Sequence, residues 1–155
     1  MKKLAGMVPK PFQLMSASPD LLSLMFQGIT YFTQKQQSFS PLLLTHIRLL
    51  VANKFDYQYC TMFNSSILQM VTDISDEQLE NLKKDPSGAS LSDKEKALLL
   101  FVLKAVEKPA SVEQKDVDDL RALGWTDKEI LEATNYGADM VRHGILFKAF
   151  KMDME

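Results

Sequence analysis

Apolar residues along this chain recur at intervals of three and four positions, and segments where they alternate with polar residues are nearly absent. Intervals of three and four are the period of a helix that buries one face, whereas alternation is typical of a strand. The Ser-Pro pairs at 18–19 and 40–41 each join a preferred N-cap residue to a proline, which suits the first helical position. They predict helices over about 19–34 and 41–54.

Four short phrases in the second half predict further helix starts, because Ser or Thr is followed three residues later by Glu or Gln. In this capping box the hydroxyl accepts from a backbone N–H while the Glu or Gln side chain reaches back. The phrases are SDEQ at 75–78, SDKE at 92–95, SVEQ at 111–114 and TDKE at 126–129. Six or seven helices with short connections follow, so the predicted fold class is all-α.

Charge is distributed unevenly along the chain. Residues 41–72 contain three charged side chains, whereas residues 73–132 contain 24. Asp56 is placed to cap a helix from Tyr57 to about Val71. A helix pair with so few charges is apolar on nearly every face and has to be enclosed. We therefore expect a buried central helical hairpin at about 41–71, wrapped by amphipathic helices and covered in part by other subunits.

The composition is that of a globular protein. The chain has 155 residues, 46% apolar and 25% charged, and we expect a single domain over 1–155. The net charge of −2 gives no electrostatic reason to bind nucleic acid or a membrane surface, and no segment is apolar enough to span a bilayer. One cysteine excludes an internal disulfide, which favours a cytoplasmic protein.

The single cysteine, Cys60, lies in the first turn of the predicted third helix. Tyr57, Cys60 and Asn64 fall on one face of that helix. The positive end of the helix dipole favours the thiolate, which is the reactive form of the side chain. A lone cysteine is also a common small core residue. Both interpretations, a reactive thiol and an inert one, stay open at this point.

Two side chains of the 41–54 helix are candidates for an auxiliary role. His46 could act as a base or satisfy a hydrogen bond in the core or at an interface. Arg48, a cation in the middle of an apolar helix, could reach out at a subunit boundary, pair with a carboxylate, or hold an anionic substrate. One Cys and two His at no ligand spacing predict no metal site, and no cofactor motif occurs.

The last helix offers a second histidine, in the phrase DMVRHGILFKAF. Asp139 and His143 lie four residues apart on one face, so the carboxylate could orient the imidazole and raise its pKa. The alternative is an ordinary ion pair on a helix surface. Gly137 and Gly144 also share a helix face, which predicts a close approach of a neighbouring element rather than a phosphate-binding loop.

The segment LLLTHIRLLVANKFDYQYCTMFNSSIL, residues 42–68, resembles the core hairpin of the alkylhydroperoxidase D / carboxymuconolactone decarboxylase family. The region 91–140 is similar to the outer helices of the peroxidase-related branch of that family, with its LSDKEKALL start, PASV linker and LGWTDKEILE phrase. The segment PFQLMSASPDLL resembles the first helices of the same branch. The resemblance covers roughly residues 8–150. It implies an AhpD-like helical fold and assembly into homotrimers or homohexamers.

The resemblance also places the family's functional residues on this sequence. The family uses a Cys-x-x-Cys pair, a histidine one turn later and a glutamate on the preceding helix. The first cysteine position holds Tyr57, the second holds Cys60, the histidine position holds Asn64 and the glutamate position holds Thr45. One of four chemical groups therefore remains, and Asn64 and Thr45 cannot titrate near neutral pH.

These substitutions change the activity that the resemblance implies. The family reduces hydroperoxides with thiols in antioxidant defence, and a second thiol resolves the sulfenic acid formed on the first. Tyr57 cannot resolve it, so we expect weak or lost activity unless an external thiol acts as reductant. One alternative is a lyase or decarboxylase acting on a small lactone or acid. Another is a non-catalytic oligomer that binds a small molecule or a partner.

Overall fold

The computed structural model describes residues 8–152, which form eight α-helices, three short helical turns and no strand. The predicted all-α class is confirmed. None of the described helices is both long enough and apolar enough to cross a membrane. The helices are α1 Lys10–Met15, α2 Pro19–Thr30, α3 Pro41–Lys54, α4 Gln58–Val71, α5 Asp76–Lys84, α6 Asp93–Glu107, α7 Gln114–Ala122 and α8 Asp127–Ala149.

The chain divides into two compact units, one ending at Ser38 and the other beginning at Phe39. In the first unit the Ser18 hydroxyl accepts from the N–H of Leu21 at the start of α2, as the Ser-Pro pair predicts. The predicted 19–34 helix is present, but its last turn, Tyr31–Lys35, is π-helical. The rings of Phe12 and Phe26 stack between α1 and α2 with centroids 5.2 Å apart. The single domain stays a prediction.

Helix α3 is the centre of the second unit. It packs against α4, α6 and α8, and α6 also packs against α8. Side chains are buried on all of its faces; they are Leu43, Leu44, His46, Ile47, Leu49, Leu50, Val51 and Ala52. The predicted bounds of 41–54 are confirmed, because Ser40 caps the first turn by accepting from the N–H of Leu43.

The turn between α3 and α4 corrects the expected role of Asp56. Its backbone has a φ of 54°, in the left-handed region, and its N–H donates to the carbonyl of Asn53. The N–H of Tyr57 donates to the carbonyl of Ala52. This pair of bonds closes the C-terminus of a helix in the Schellman arrangement. Asp56 therefore ends α3 and does not cap α4, whose N-cap is Tyr57.

Helix α4 completes the predicted hairpin but buries one face only. Cys60, Asn64, Ser65 and Leu68 are buried. By contrast, Met62, Met70 and Val71 are 60%, 58% and 62% exposed. The second unit by itself therefore leaves part of this low-charge hairpin uncovered.

The outer helices follow their capping signals with one exception. The boxes at Ser75–Gln78 and Thr126–Glu129 form as predicted, and Ser92 accepts from the N–H of Glu95. The predicted start at 111 is wrong, because Pro109–Ser111 forms a 3₁₀ turn and α7 is capped by Glu113 instead. The proline before Ser111 sets this turn, since its ring favours a new helical start at its own position.

Glycines on α8 let its neighbours approach closely, as predicted. A Cβ on Gly137 would lie 2.5 Å from Cγ1 of Val102 in α6 and 3.7 Å from Cγ2 of Ile47 in α3. A Cβ on Gly144 would overlap the ring of Tyr57. The approaches of Val102 to Gly137 and of Tyr57 to Gly144 are closer than a Cβ tolerates, so α6 and the start of α4 rest directly on the α8 backbone.

Replacing Gly137 with alanine is expected to destabilise the protein by roughly 1–3 kcal/mol, because the stiff Val102 side chain has to move. Gly28→Ala is the matched control, since that helical glycine has nothing within 4 Å of the added carbon. It should be neutral or stabilising by up to about 1 kcal/mol. Chemical denaturation of both variants measures the difference. Adding Val102→Ala should relieve part of the Gly137→Ala loss, and equal effects of the two glycine variants would contradict the packing.

Candidate functional site

The predicted redox positions cluster at the start of α4. Cys60 occupies the third position of the helix and is 4% exposed. A peroxide or thiol reagent can therefore reach its sulfur only if the surrounding turn moves. Two cavities are described, and neither is lined by Cys60. Cys60 is therefore a buried thiol packed into the start of α4.

The tyrosine at the first cysteine position fills space in the core. Tyr57 is 5% exposed, and its ring lies on the α8 backbone at Gly144. The ring also stacks on Phe55 at 5.9 Å, and the Lys148 ammonium lies 5.1 Å from its centroid. Tyr57 is therefore a packing residue that joins the hairpin turn to α8.

The two other substituted positions use their polar groups within their own helices. The amide nitrogen of Asn64 donates to the carbonyl of Cys60 over 2.7 Å. The hydroxyl of Thr45 donates to the carbonyl of Pro41 over 2.9 Å. The structure thus places Tyr57, Cys60 and Asn64 on one face at the start of α4, with Thr45 half-buried on α3.

His46 lies at a separate cavity of about 510 Å³. The ring is 2% exposed, and its Nδ1 lies 2.8 Å from the carbonyl of Leu42. Burial lowers the pKa of His46, although the bond to Leu42 and the nearby Glu95 carboxylate oppose the shift. A carbonyl can only accept, so Nδ1 carries the hydrogen and Nε2 of the neutral ring holds a lone pair. His46 is therefore a buried hydrogen-bond acceptor or base.

Arg48 contacts an aromatic ring, an arrangement that the sequence did not predict. Its guanidinium carbon lies 5.4 Å from the ring centroid of Tyr136 on α8. The side chain is half-buried, and its charge is stabilised by the face of the ring. Neither described cavity is lined by Arg48.

The Asp139–His143 pair forms, but not on the surface. Nδ1 of His143 lies 3.1 Å from the Asp139 carboxylate and 2.8 Å from the Asp139 carbonyl, and the residue is 5% exposed. Burial would raise the pKa of Asp139, but the bonds from His143 and Arg142 outweigh it and lower that pKa to about 2. The interpretation as an ordinary surface ion pair is therefore wrong, because α8 turns this imidazole inward.

Two solved structures share this arrangement of helices. An uncharacterized peroxidase-related protein from Silicibacter sp. TM1040 matches with a TM-score of 0.81 and 19% identity. The alkylhydroperoxidase AhpD core of an uncharacterized peroxidase-related protein from Ralstonia eutropha JMP134 matches with a TM-score of 0.78 and 19% identity. Each match covers 96% of this chain and 77% of the other. This chain has the AhpD fold. No family model and no curated protein matches the sequence.

The AhpD-like fold expected from the sequence is thereby confirmed. The hairpin of α3 and α4 lies at the centre of the second unit, as expected from the sequence. The cavity beside His46 was missed by sequence reasoning. Its polar rim comes from α5 and the loops at its ends, where Asn81 and Asp85 lie one turn apart. In the sequence, the four-residue spacing of Asn81 and Asp85 in the phrase ENLKKDPSGAS was the feature that could have indicated this polar rim.

The depressed pKa of Asp139 predicts a specific loss of stability in acid. Its ordinary value is 3.8, so the ionised carboxylate stabilises the fold fully above about pH 5, and this contribution is lost as the pH falls toward 2. Because 31% of the Asp139 side chain is exposed, solvent screens the ion pair. We therefore expect it to contribute roughly 1–2 kcal/mol to the free energy of unfolding. Urea denaturation across this range should show a steeper acid loss in the wild type than in Asp139→Asn.

Asp93→Asn is the control, since this carboxylate is exposed in the first turn of α6. It should retain the wild-type acid dependence. A wild type and an Asp139→Asn variant with parallel stability curves between pH 5 and pH 2 would contradict a stabilising role for the Asp139–His143 pair.

Proposed function

We propose that this protein uses the AhpD fold for binding, and that the two-cysteine reduction of hydroperoxides is lost. The observation that carries the proposal is the packing of Tyr57 on Gly144, at the position where the family has its first cysteine. Tyr57 has no thiol, and its buried ring fills the space at this position. The antioxidant activity implied by the family resemblance is then weak or absent.

The chemistry of the cycle explains why this loss matters. A thiolate attacks the peroxide O–O bond, becomes a sulfenic acid and releases an alcohol or water. A second thiol then condenses with the sulfenic acid to give a disulfide and water. Cys60 has no second cysteine in the chain. The amide at Asn64 and the hydroxyl at Thr45 cannot accept a proton near neutral pH.

The lyase alternative has less support. An enzyme acting on a small carboxylic acid needs a cation in its pocket, and Arg48 is the cation in the hairpin that sequence reasoning assigned to this role. Its guanidinium lies over the ring of Tyr136. In the described part of the chain, two carboxylates and no lysine or arginine line the cavity beside His46. A binding role therefore fits the geometry better than decarboxylation of an anion.

A peroxide assay tests the loss of turnover. Hydrogen peroxide and an organic hydroperoxide, each supplied with excess dithiothreitol, should be consumed by the wild type at the same rate as by Cys60→Ser. The reason is that the sulfur is enclosed and the relay groups do not titrate. A wild-type rate about tenfold or more above that of Cys60→Ser would establish one-cysteine turnover and overturn the proposal.

We also propose that the protein assembles with copies of itself through α4, as a homotrimer or homohexamer. The support is that a hairpin with three charges in residues 41–72 leaves apolar side chains of α4 exposed. Met62 and Met70 lie on the exposed side of α4, and Val71 is exposed at its C-terminal end. Exposed apolar side chains grouped on one helix are typical of an interface.

Sedimentation velocity tests the assembly. The wild type should sediment as an oligomer, and Met62→Lys with Met70→Lys should dissociate it, because buried unpaired charges oppose association. The control is Leu123→Lys, at an exposed apolar residue of the α7 end, which should leave the oligomer intact. A monomeric wild type at micromolar concentration would contradict the proposal.

A further inference from the structure

The cavity beside His46 has a buried floor and an exposed polar rim. The floor includes His46, Leu68 and Leu82, which are 2%, 1% and 4% exposed. The rim consists of exposed residues, namely Asp73, Gln78, Asn81, Asp85, Gly88 and Ser90. A site with an apolar floor and a few convergent polar groups is the usual form of a small-molecule pocket.

The floor presents one acceptor that the protein does not use. The bond from Nδ1 to Leu42 is the hydrogen bond that the His46 ring makes within residues 8–152. Nε2 of the neutral ring therefore has its lone pair available in a pocket otherwise lined at its base by leucine. A bound molecule that donates an O–H at this point would satisfy it.

The rim fixes the charge of the molecule. Asp73 and Asp85 line the cavity, and no lysine or arginine among residues 8–152 does. One oxygen of Asp85 already accepts from the N–H and the hydroxyl of Ser87, which holds the carboxylate in place and lowers its pKa. Both carboxylates repel an anion and attract a cation, and their exposure keeps this attraction modest.

We propose that this cavity binds a small organic amine whose apolar body carries a hydroxyl group at the end opposite the ammonium. The hydroxyl donates to Nε2 of His46 at the floor, and the ammonium lies at the rim near Asp73 and Asp85. The apolar body fills the space lined by Leu42, Leu68, Ile74 and Leu82. The inference rests on the binding role proposed above and is tested apart from it, because the peroxide assay involves Cys60 and not this cavity.

Three probes of one shape separate the contributions. Tyramine carries both groups, phenethylamine lacks the hydroxyl, and 4-hydroxyphenylacetate replaces the ammonium with a carboxylate. Calorimetric titration of the full chain should give the tightest binding for tyramine. Phenethylamine should bind about tenfold more weakly, since a hydrogen bond to a buried acceptor is lost. The carboxylate should bind more weakly still.

Two variants assign these effects to residues. His46→Phe keeps a ring of similar size and should remove the preference for tyramine over phenethylamine. Asp73→Asn, at an exposed position that the fold does not need, should weaken both amines by about two- to fivefold, as expected of a solvent-exposed charge pair. Glu77→Gln removes an equal charge from α5 outside the cavity and should leave both affinities unchanged.

Nuclear magnetic resonance of the two imidazoles locates the bound molecule. The chain has two histidines, so His143 serves as an internal reference. Tyramine should move the Nε2 resonance of His46 and leave that of His143 in place. No saturable binding of tyramine overturns the inference. So do equal affinities for tyramine and 4-hydroxyphenylacetate, an unchanged tyramine preference in His46→Phe, or parallel shifts of both histidines.

Discussion

The second unit depends on the burial of α3. A helix that buries eight of its 14 side chains must be covered by several neighbours at once, and α4, α6 and α8 provide that cover. Such enclosure demands close contact, which the glycines of α8 permit. Gly137 admits Val102 from α6, and Gly144 admits the ring of Tyr57 from the hairpin turn. The small residues of α8 therefore make the tight packing around α3 possible.

Burial of α3 also determines what its few polar groups can do. His46 has to bond within its own helix, and the absence of water around it lowers its pKa. The Arg48 guanidinium lies over the Tyr136 ring, with its central carbon 5.4 Å from the ring centroid. Neither side chain is fully exposed to solvent: His46 is buried and Arg48 is half-buried. The same enclosure that stabilises the fold therefore holds a buried imidazole with a lowered pKa at the edge of a cavity.

Local patterns in the sequence predicted most of the helices because capping is a short-range interaction. The starts at Ser40, Ser75 and Thr126 depend on residues within three positions, and all three form. Asp56 was misassigned because the same residue type that caps a helix also tolerates the left-handed conformation that ends one. The choice between these roles depends on α3, whose terminal carbonyls accept the N–H groups of the turn.

The site was harder to predict than the fold because it depends on contacts between distant segments. The helical period placed Tyr57, Cys60 and Asn64 on one face, which the structure keeps. It could not show that Gly144, from the far end of the chain, would receive the tyrosine ring, nor that His143 would be buried rather than exposed. The rim of the His46 cavity likewise joins α3 to loops on both sides of α5.

The two ends of the hairpin differ in a way that separates packing from binding. Where α4 begins, aromatic rings occupy the space around Cys60, with Tyr59 5.5 Å from Phe147 and Tyr57 against α8. Where α4 ends, the chain leaves through polar residues toward α5, and the buried side chains of Leu68 and His46 lie at the floor of a cavity. The hairpin thus has a buried thiol beside packed aromatic rings at one end and a cavity with a polar rim at the other. The binding role that we propose uses the second end, and the peroxide chemistry that we propose to be lost would have used the first.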